Sequence, residues 1–172
     1  YASVAGVDPD SVEVIEAPAG YDTEFYDQVI RFAYMNDMSL DENYEHLASL
    51  MDMDSLIDWL IMEGFCANTD VTSGNLRYCR SEQADGKWHF MFYDLDATFV
   101  TPGAMYANLL SEYGVAHIQV SSLAVPLMQN AGFKDRFLTR AAELLSDKLS
   151  NRAVINEINA MTEELSAEVD RD

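Results

Sequence analysis

The chain has 172 residues, enough for one ordinary domain with its own core and too few for two large ones. Apolar residues make up 49% of it, as in a folded protein and not a disordered one. With 30 acidic and 10 basic residues the formal charge is −20, which repels nucleic-acid backbones and anionic lipid and favours cations and basic partners. Two readings of that charge stand: a solvated acidic surface, or a face for a Lys/Arg-rich protein substrate. No apolar run approaches the ~20 residues of a membrane-spanning helix, so no membrane insertion is expected. The first residue is Tyr1, not Met, and no basic-then-apolar leader precedes the body, as in a fragment or a processed chain.

Residues 1–20 carry Gly6, Pro9, Pro18 and Gly20 around the alternating run Val12-Glu13-Val14-Ile15. That pattern predicts an extended arm or linker with one strand, ahead of a domain over residues 21–172. Phe25, Val29, Phe32 and Ala33 recur at helical spacing, so residues 22–37 are predicted helical with Asp22 or Thr23 as cap. A shorter helix is expected over Asp41–Leu50. Asp54 reads as the cap of Ser55–Met62, which is apolar nearly all round and so should be a buried central helix, stopping at Gly64. The polar segment Asn68-Thr69-Asp70-Val71-Thr72-Ser73-Gly74-Asn75 follows at once. A loop launched from a buried helix is well placed to hold side chains rigidly.

A β-hairpin comes next. Leu76 and Tyr78 alternate with Arg77 and Cys79, and Ala84-Asp85-Gly86-Lys87 supplies the favoured Asp-Gly turn. The return strand is Trp88–Tyr93, with Trp88, Phe90 and Phe92 on one face and His89, Met91 and Tyr93 on the other, both faces expected to be largely covered. Asp94-Leu95-Asp96 closes it. Farther on, a helix is expected over Ala104–Glu112, and another over Ser121–Asn130 with Pro126 in its first turn. Phe133–Leu149 should be an amphipathic helix along Phe137, Ala141, Leu144 and Leu145. A last one should run from Asn151 or Arg152 to Val169 along Val154, Ile155, Ile158, Met161 and Leu165. Helices around one small hairpin make the fold class α+β, mostly helical.

Asp70 and Asn75 have the Asp-x-x-x-x-Asn spacing of the protein-kinase catalytic loop, in which the Asp accepts the proton of the attacking hydroxyl and the Asn binds metal. The competing reading of Asp70 is an Asx-type turn. Asp94 and Asp96 are two apart, and on a strand they would point the same way. Like charges side by side repel unless a cation lies between them, which suits Mg²⁺ on carboxylate and amide oxygens. A solvated acidic turn is the alternative, and Asp-x-Asp is also the pattern of many nucleotide-sugar transferases. An EF-hand is a poor fit, with Ser73 at the glycine position and Cys79 at the bidentate Glu position. Cys66 and Cys79 are too few for a disulfide scaffold and wrongly spaced for zinc; one bridge pinning the loop or two buried thiols remain. His46, His89 and His117 are scattered, and His89 reads as a packing histidine.

From Met51 to Val100 the chain resembles the CotH family of spore-coat protein kinases. The resemblance is carried by Met51-Asp52-Met53-Asp54-Ser55-Leu56-Ile57-Asp58-Trp59-Leu60, by Asn68-x-Asp70-x-x-x-x-Asn75, by Gly86-Lys87-Trp88 and by Tyr93-Asp94-Leu95-Asp96. The helix around Phe133–Phe137 and the final helix extend it to roughly residues 22–170. It implies a protein-kinase-like C-terminal lobe and transfer of a phosphoryl group from ATP, with Mg²⁺ or Mn²⁺, to Ser or Thr of a protein. Asp70 would match the catalytic aspartate, Asn75 and Asp94 the nucleotide-metal pair, and Asp96 a second metal ligand. A spore coat or a cell surface would be the location. The chain shows no Gly-rich phosphate loop and no strand lysine paired with a helical Glu, and Val100 stands where a flexible glycine is expected. On that basis this stretch alone should bind nucleotide weakly or not at all. The rival functions are a non-catalytic coat or surface assembly module and an Asp-x-Asp nucleotide-sugar transferase.

Overall fold

The structure, a computed structural model, describes residues 1–17, 24–68, 75–99 and 118–169. They fall into two compact units, Tyr1–Lys134 and Asp135–Asp172. The first holds the short helix α1 (Ala2–Ala5), strand β1 (Glu13–Ala17), helices α2 (Arg31–Met35), α3 (Asp41–Leu50) and α4 (Met53–Cys66), strands β2 (Leu76–Arg80) and β3 (His89–Met91), and helix α5 (Ile118–Leu127). Helix α6 (Ala131–Ser146) starts in it, and the second unit holds the rest of α6 and helix α7 (Asn151–Val169). The class is mostly helical α+β, as expected. The expected helix Ala104–Glu112 lies outside the described residues.

The hairpin gains a third strand. β1 pairs antiparallel with β2 in the register Glu13↔Arg80 to Ala17↔Leu76, and β2 pairs with β3 from Arg77↔Met91 to Cys79↔His89. The arm is therefore built into the sheet. Arg80 secures this edge: its Nε meets Glu13 at 2.8 Å and its two terminal nitrogens meet Glu24 at 2.7 and 3.1 Å. The bidentate geometry fixes the plane of the guanidinium, which also lies over the Trp88 ring, 4.3 Å from its centroid.

The core is aromatic. Phe25 stacks on Tyr78 with centroids 3.9 Å apart and meets Trp88 and Phe90 edge-on, while Trp59 of α4 lies 5.0 Å from Phe90. Such pairs add specific geometry to the area they bury. Phe25 and Val29 recur at helical spacing as expected, but a π-helical turn, Tyr26–Ile30, occupies the middle of that segment before α2 begins. The expected cap residues Asp22 and Thr23 lie outside the described residues.

Several sequence expectations need correction. Asp52, not Asp54, caps α4: its carboxylate accepts the Ser55 N–H at 2.7 Å, and Asp54 falls in the first turn, where a negative charge suits the positive end of the helix dipole. The helix also runs through Gly64. It ends where Ala67 turns left-handed (φ 50°), with the Asn68 N–H bonded to the Glu63 carbonyl at 3.2 Å and the Ala67 N–H to the Gly64 carbonyl at 3.3 Å. That bond pair is the Schellman termination, formed here around an alanine. The hairpin connection is wider than a two-residue turn: the Ser81 carbonyl accepts from both Ala84 and Gly86, and Gly86 takes φ 68°. β3 stops at Met91, so Phe92 and Tyr93 are half-exposed and not covered on both faces. Pro126 lies near the C-terminal end of α5, not in its first turn.

Asn130 caps α6. Its side-chain oxygen accepts the Phe133 N–H at 3.0 Å while its amide donates to Asp41 at 3.2 Å. In the second unit α7 carries the predicted stripe, with Ile155, Ile158, Met161 and Leu165 more than half exposed. Among the described residues no helix is long and apolar enough to cross a membrane.

Candidate active site

Helix α4 and the segment that follows it from Trp88 onward run side by side, fastened at both ends. At the start, the Asp52 N–H bonds to the Trp88 carbonyl (2.8 Å) and the Trp88 N–H to the Leu50 carbonyl (2.9 Å). One turn later the Ser55 hydroxyl meets the backbone of Phe90, accepting its N–H at 2.8 Å. At the far end the Phe99 N–H bonds to the Cys66 carbonyl at 2.9 Å, and the Phe65 and Phe99 rings meet edge-on at 6.1 Å. The end of α4, which launches the Asn68–Asn75 loop, is thus in direct contact with the residues just past Asp94 and Asp96.

The hairpin brings the same two stretches together a second way. Asn75 is half-buried and immediately precedes β2, and Asp94 follows β3 by three residues and is exposed. The last β2–β3 pair is Arg77↔Met91, so Asn75 lies two residues before the paired stretch and Asp94 three residues after it. Arg77 lies over the Tyr93 ring at 4.1 Å, holding the start of this segment against β2. Asp96 is exposed two residues on. Asp70 lies outside the described residues.

The expectation that Asp94 and Asp96 share a strand face does not hold. The strand has already ended, and Asp94 is left-handed at φ 52°. Ala67, Asp94 and Phe99 are the non-glycine residues with positive φ among those described, and all three flank this junction. Left-handed backbone costs an L-residue about 1 kcal/mol, and such strain gathers where a backbone must be aimed. The left-handed geometry falls at Phe99, one residue before the position where the sequence raised the expectation of glycine. The oxygens of Asn75, Asp94 and Asp96 are hard donors that suit Mg²⁺.

Sequence reasoning passed over Glu63. It is 3% exposed, with Oε2 buried and without a hydrogen-bond partner. Burial pushes its carboxyl above the usual range, and the Asn68 side chain acts in the opposite direction. Its signal was available: an acid in the apolar last turns of α4, whose other acids, Asp54 and Asp58, fall in its first half. Cys66 and Cys79 are both free and buried, so no bridge pins the loop.

A second cluster lies on the turn of the hairpin. His89 Nε2 meets Asp85 at 3.1 Å, Nδ1 faces Asp52 at 3.9 Å, and Tyr1 packs on the ring at 4.8 Å. The imidazole thus links the α4 cap and the hairpin turn, and Asp52, Asp85 and His89 each offer one ligand atom within 4.8 Å of the others, a grouping that could hold a metal ion. Burial acts to raise the Asp85 carboxyl, yet the Lys87 N–H and His89 hold it below the usual range.

A mostly helical α+β fold with a small antiparallel sheet is the architecture expected of a kinase-like C-terminal lobe. The sequence matches the family described as CotH kinase protein over residues 12–172, and the chain belongs to that family. No curated protein and no solved structure matches it.

Proposed function

We propose that the chain carries the catalytic loop of an ATP-dependent kinase that phosphorylates Ser or Thr of a protein. The observation that supports this best is that both flanks of the Asn68–Asn75 stretch are tied to the flanks of Asp94 and Asp96: Cys66 through its backbone bond to Phe99, and β2 through its pairing with β3. Asp70 aligns the acceptor hydroxyl and takes its proton. Asn75 and Asp94 present oxygens for the principal divalent ion, and Asp96 for a second. Bound Mg²⁺, or Mn²⁺, supplies the charge that neutralises the phosphates of ATP. The acidic surface suits a Lys/Arg-rich acceptor of a spore coat or cell surface. A nucleotide-sugar transferase finds little support, because the sheet is antiparallel among the described residues.

The test is phosphate incorporation by the full-length protein with Asp70→Ala and, separately, Asp94→Asn. Each is expected to lower kcat by a factor on the order of 100 or more, with folding unchanged by circular dichroism. Wild-type turnover in Asp70→Ala removes that residue from its role. A protein that binds neither nucleotide nor Mg²⁺ is instead the non-catalytic assembly module.

A further inference from the structure

We propose that Asp52, Asp85 and His89 form a binding site for a divalent transition-metal ion of the zinc class, separate from the oxygen-lined candidate active site. The proposal stands independently of the kinase reading. Three elements bring the side chains together: Asp52 caps α4, Asp85 sits in the hairpin turn and His89 lies on β3. With one atom taken from each residue, the three ligand atoms lie within 4.8 Å of one another. Neighbouring ligands of a tetrahedral zinc are roughly 3.3 Å apart. Closure therefore needs only a small shift, and Asp85, 44% exposed on its turn, has room for it. The 14 residues of α4 put about 20 Å between its Asp52 cap and its Cys66 end, where Phe99 is fastened.

Both carboxylates are already aimed. Asp52 Oδ1 accepts the Ser55 N–H at 2.7 Å, which leaves Oδ2 to face the imidazole. Asp85 Oδ1 accepts the Lys87 N–H at 3.0 Å, and its Oδ2 lies 3.1 Å from His89 Nε2. Backbone donors behind the ligating carboxylates are the outer shell that orients a metal ligand. Tyr1 packs on the ring and restricts its rotation. Packing accounts for that contact but not for two carboxylates gathered at one imidazole. A protonated imidazole neutralises one of them. A divalent ion neutralises both, and it takes the ring nitrogen that carries no proton. That nitrogen also selects the metal: imidazole with carboxylates suits Zn²⁺, whereas Mg²⁺ prefers oxygen alone. Three protein ligands leave a position for water. The bound ion clasps the start of α4 to the hairpin turn.

The test uses the full-length protein, stripped of metal with a chelator and titrated with zinc chloride in excess Mg²⁺, so that all-oxygen sites are filled. Three variants are compared with wild type. His89→Phe keeps a ring against Tyr1 and removes the nitrogen. Asp52→Asn keeps a good helix cap and removes the charge. Asp94→Asn alters the candidate active site alone. Wild type should bind one zinc ion per chain more than His89→Phe, and zinc should raise the melting temperature of wild type more than that of the variant. Asp52→Asn should weaken the binding on the order of tenfold or more, while Asp94→Asn leaves it unchanged. Equal zinc binding by wild type and His89→Phe means ions scattered over the acidic surface, and it overturns the proposal. A second readout needs no variant. Zinc at one equivalent should shift the ring-nitrogen signals of His89 in nitrogen-15 spectra ahead of those of His46 and His117. His89 signals that stay in place overturn the proposal, also where His89→Phe fails to fold.

Discussion

Glu24 and Glu63 show how two carboxyls in one unit can make opposite contributions to stability. The Arg80 hydrogen bond holds Glu24 below its ordinary 4.5, against the opposing effect of burial. The stability it adds is therefore present above pH 4.5 and lost as pH falls through the folded-state value. Glu63 is displaced upward by burial from the same 4.5. Its contribution is intact below 4.5 and is lost as pH rises through its folded-state value. Urea midpoints measured across the acid range should separate the two. Arg80→Met should flatten the loss on the acid side. Glu63→Gln should gain on wild type as pH increases above 4.5, and a constant difference between them would contradict the upward displacement.

At the scale of elements, α4 is the beam on which the site is mounted, and its two ends are built differently. The first is closed by a side chain, Asp52, and laced to β3 through Ser55. Asp52→Ala should cost about 1 kcal/mol of unfolding free energy, with faster hydrogen exchange confined to the first turn of α4 and to Trp88–Phe90. Uniformly faster exchange would show that the cap acts on the whole fold. The other end is closed by backbone alone, around Ala67. This difference explains what was legible in the sequence. Period and polarity marked α3 and α7 correctly, since those helices start and stop with their patterns. They could not mark the end of α4, because the residue that turns left-handed is alanine and the nearby glycine stays helical. Nor could they show that β1 would pair with β2, from Glu13↔Arg80 to Ala17↔Leu76, far apart in sequence. The candidate ligands Asn75, Asp94 and Asp96 were readable as residue types at suitable spacing. That β2 and β3 pair, tying the stretch after Asn75 to the stretch before Asp94, was readable from the hairpin signal. Glu63 escaped because one acid in an apolar run looks like an interruption until its burial is known.

For the whole molecule the dominant fact is a formal charge of −20 on 172 residues. Self-repulsion of that size destabilises the compact state, and salt screens it, the Debye length falling from about 30 Å at 0.01 M to about 8 Å at 0.15 M. Raising ionic strength across that range should therefore raise the melting temperature. It should also weaken capture of a Lys/Arg-rich peptide, mainly through a slower association rate. Salt that leaves both unchanged would mean that the acidic residues are neutralised locally and present no collective field. The CotH kinase assignment over residues 12–172 takes in this acidic surface along with the site.

The link between Phe99 and Cys66 runs from main chain to main chain. Most replacements of either side chain leave both of its atoms in place, because every residue but proline carries the donor and every residue carries the acceptor. Lineages could thus rewrite the chemistry on both flanks, exchanging ligands or acceptor preference, while the buckle between them endured. Proline at Phe99 is the lone single replacement that would unfasten it outright, removing the donor and forbidding the left-handed turn together.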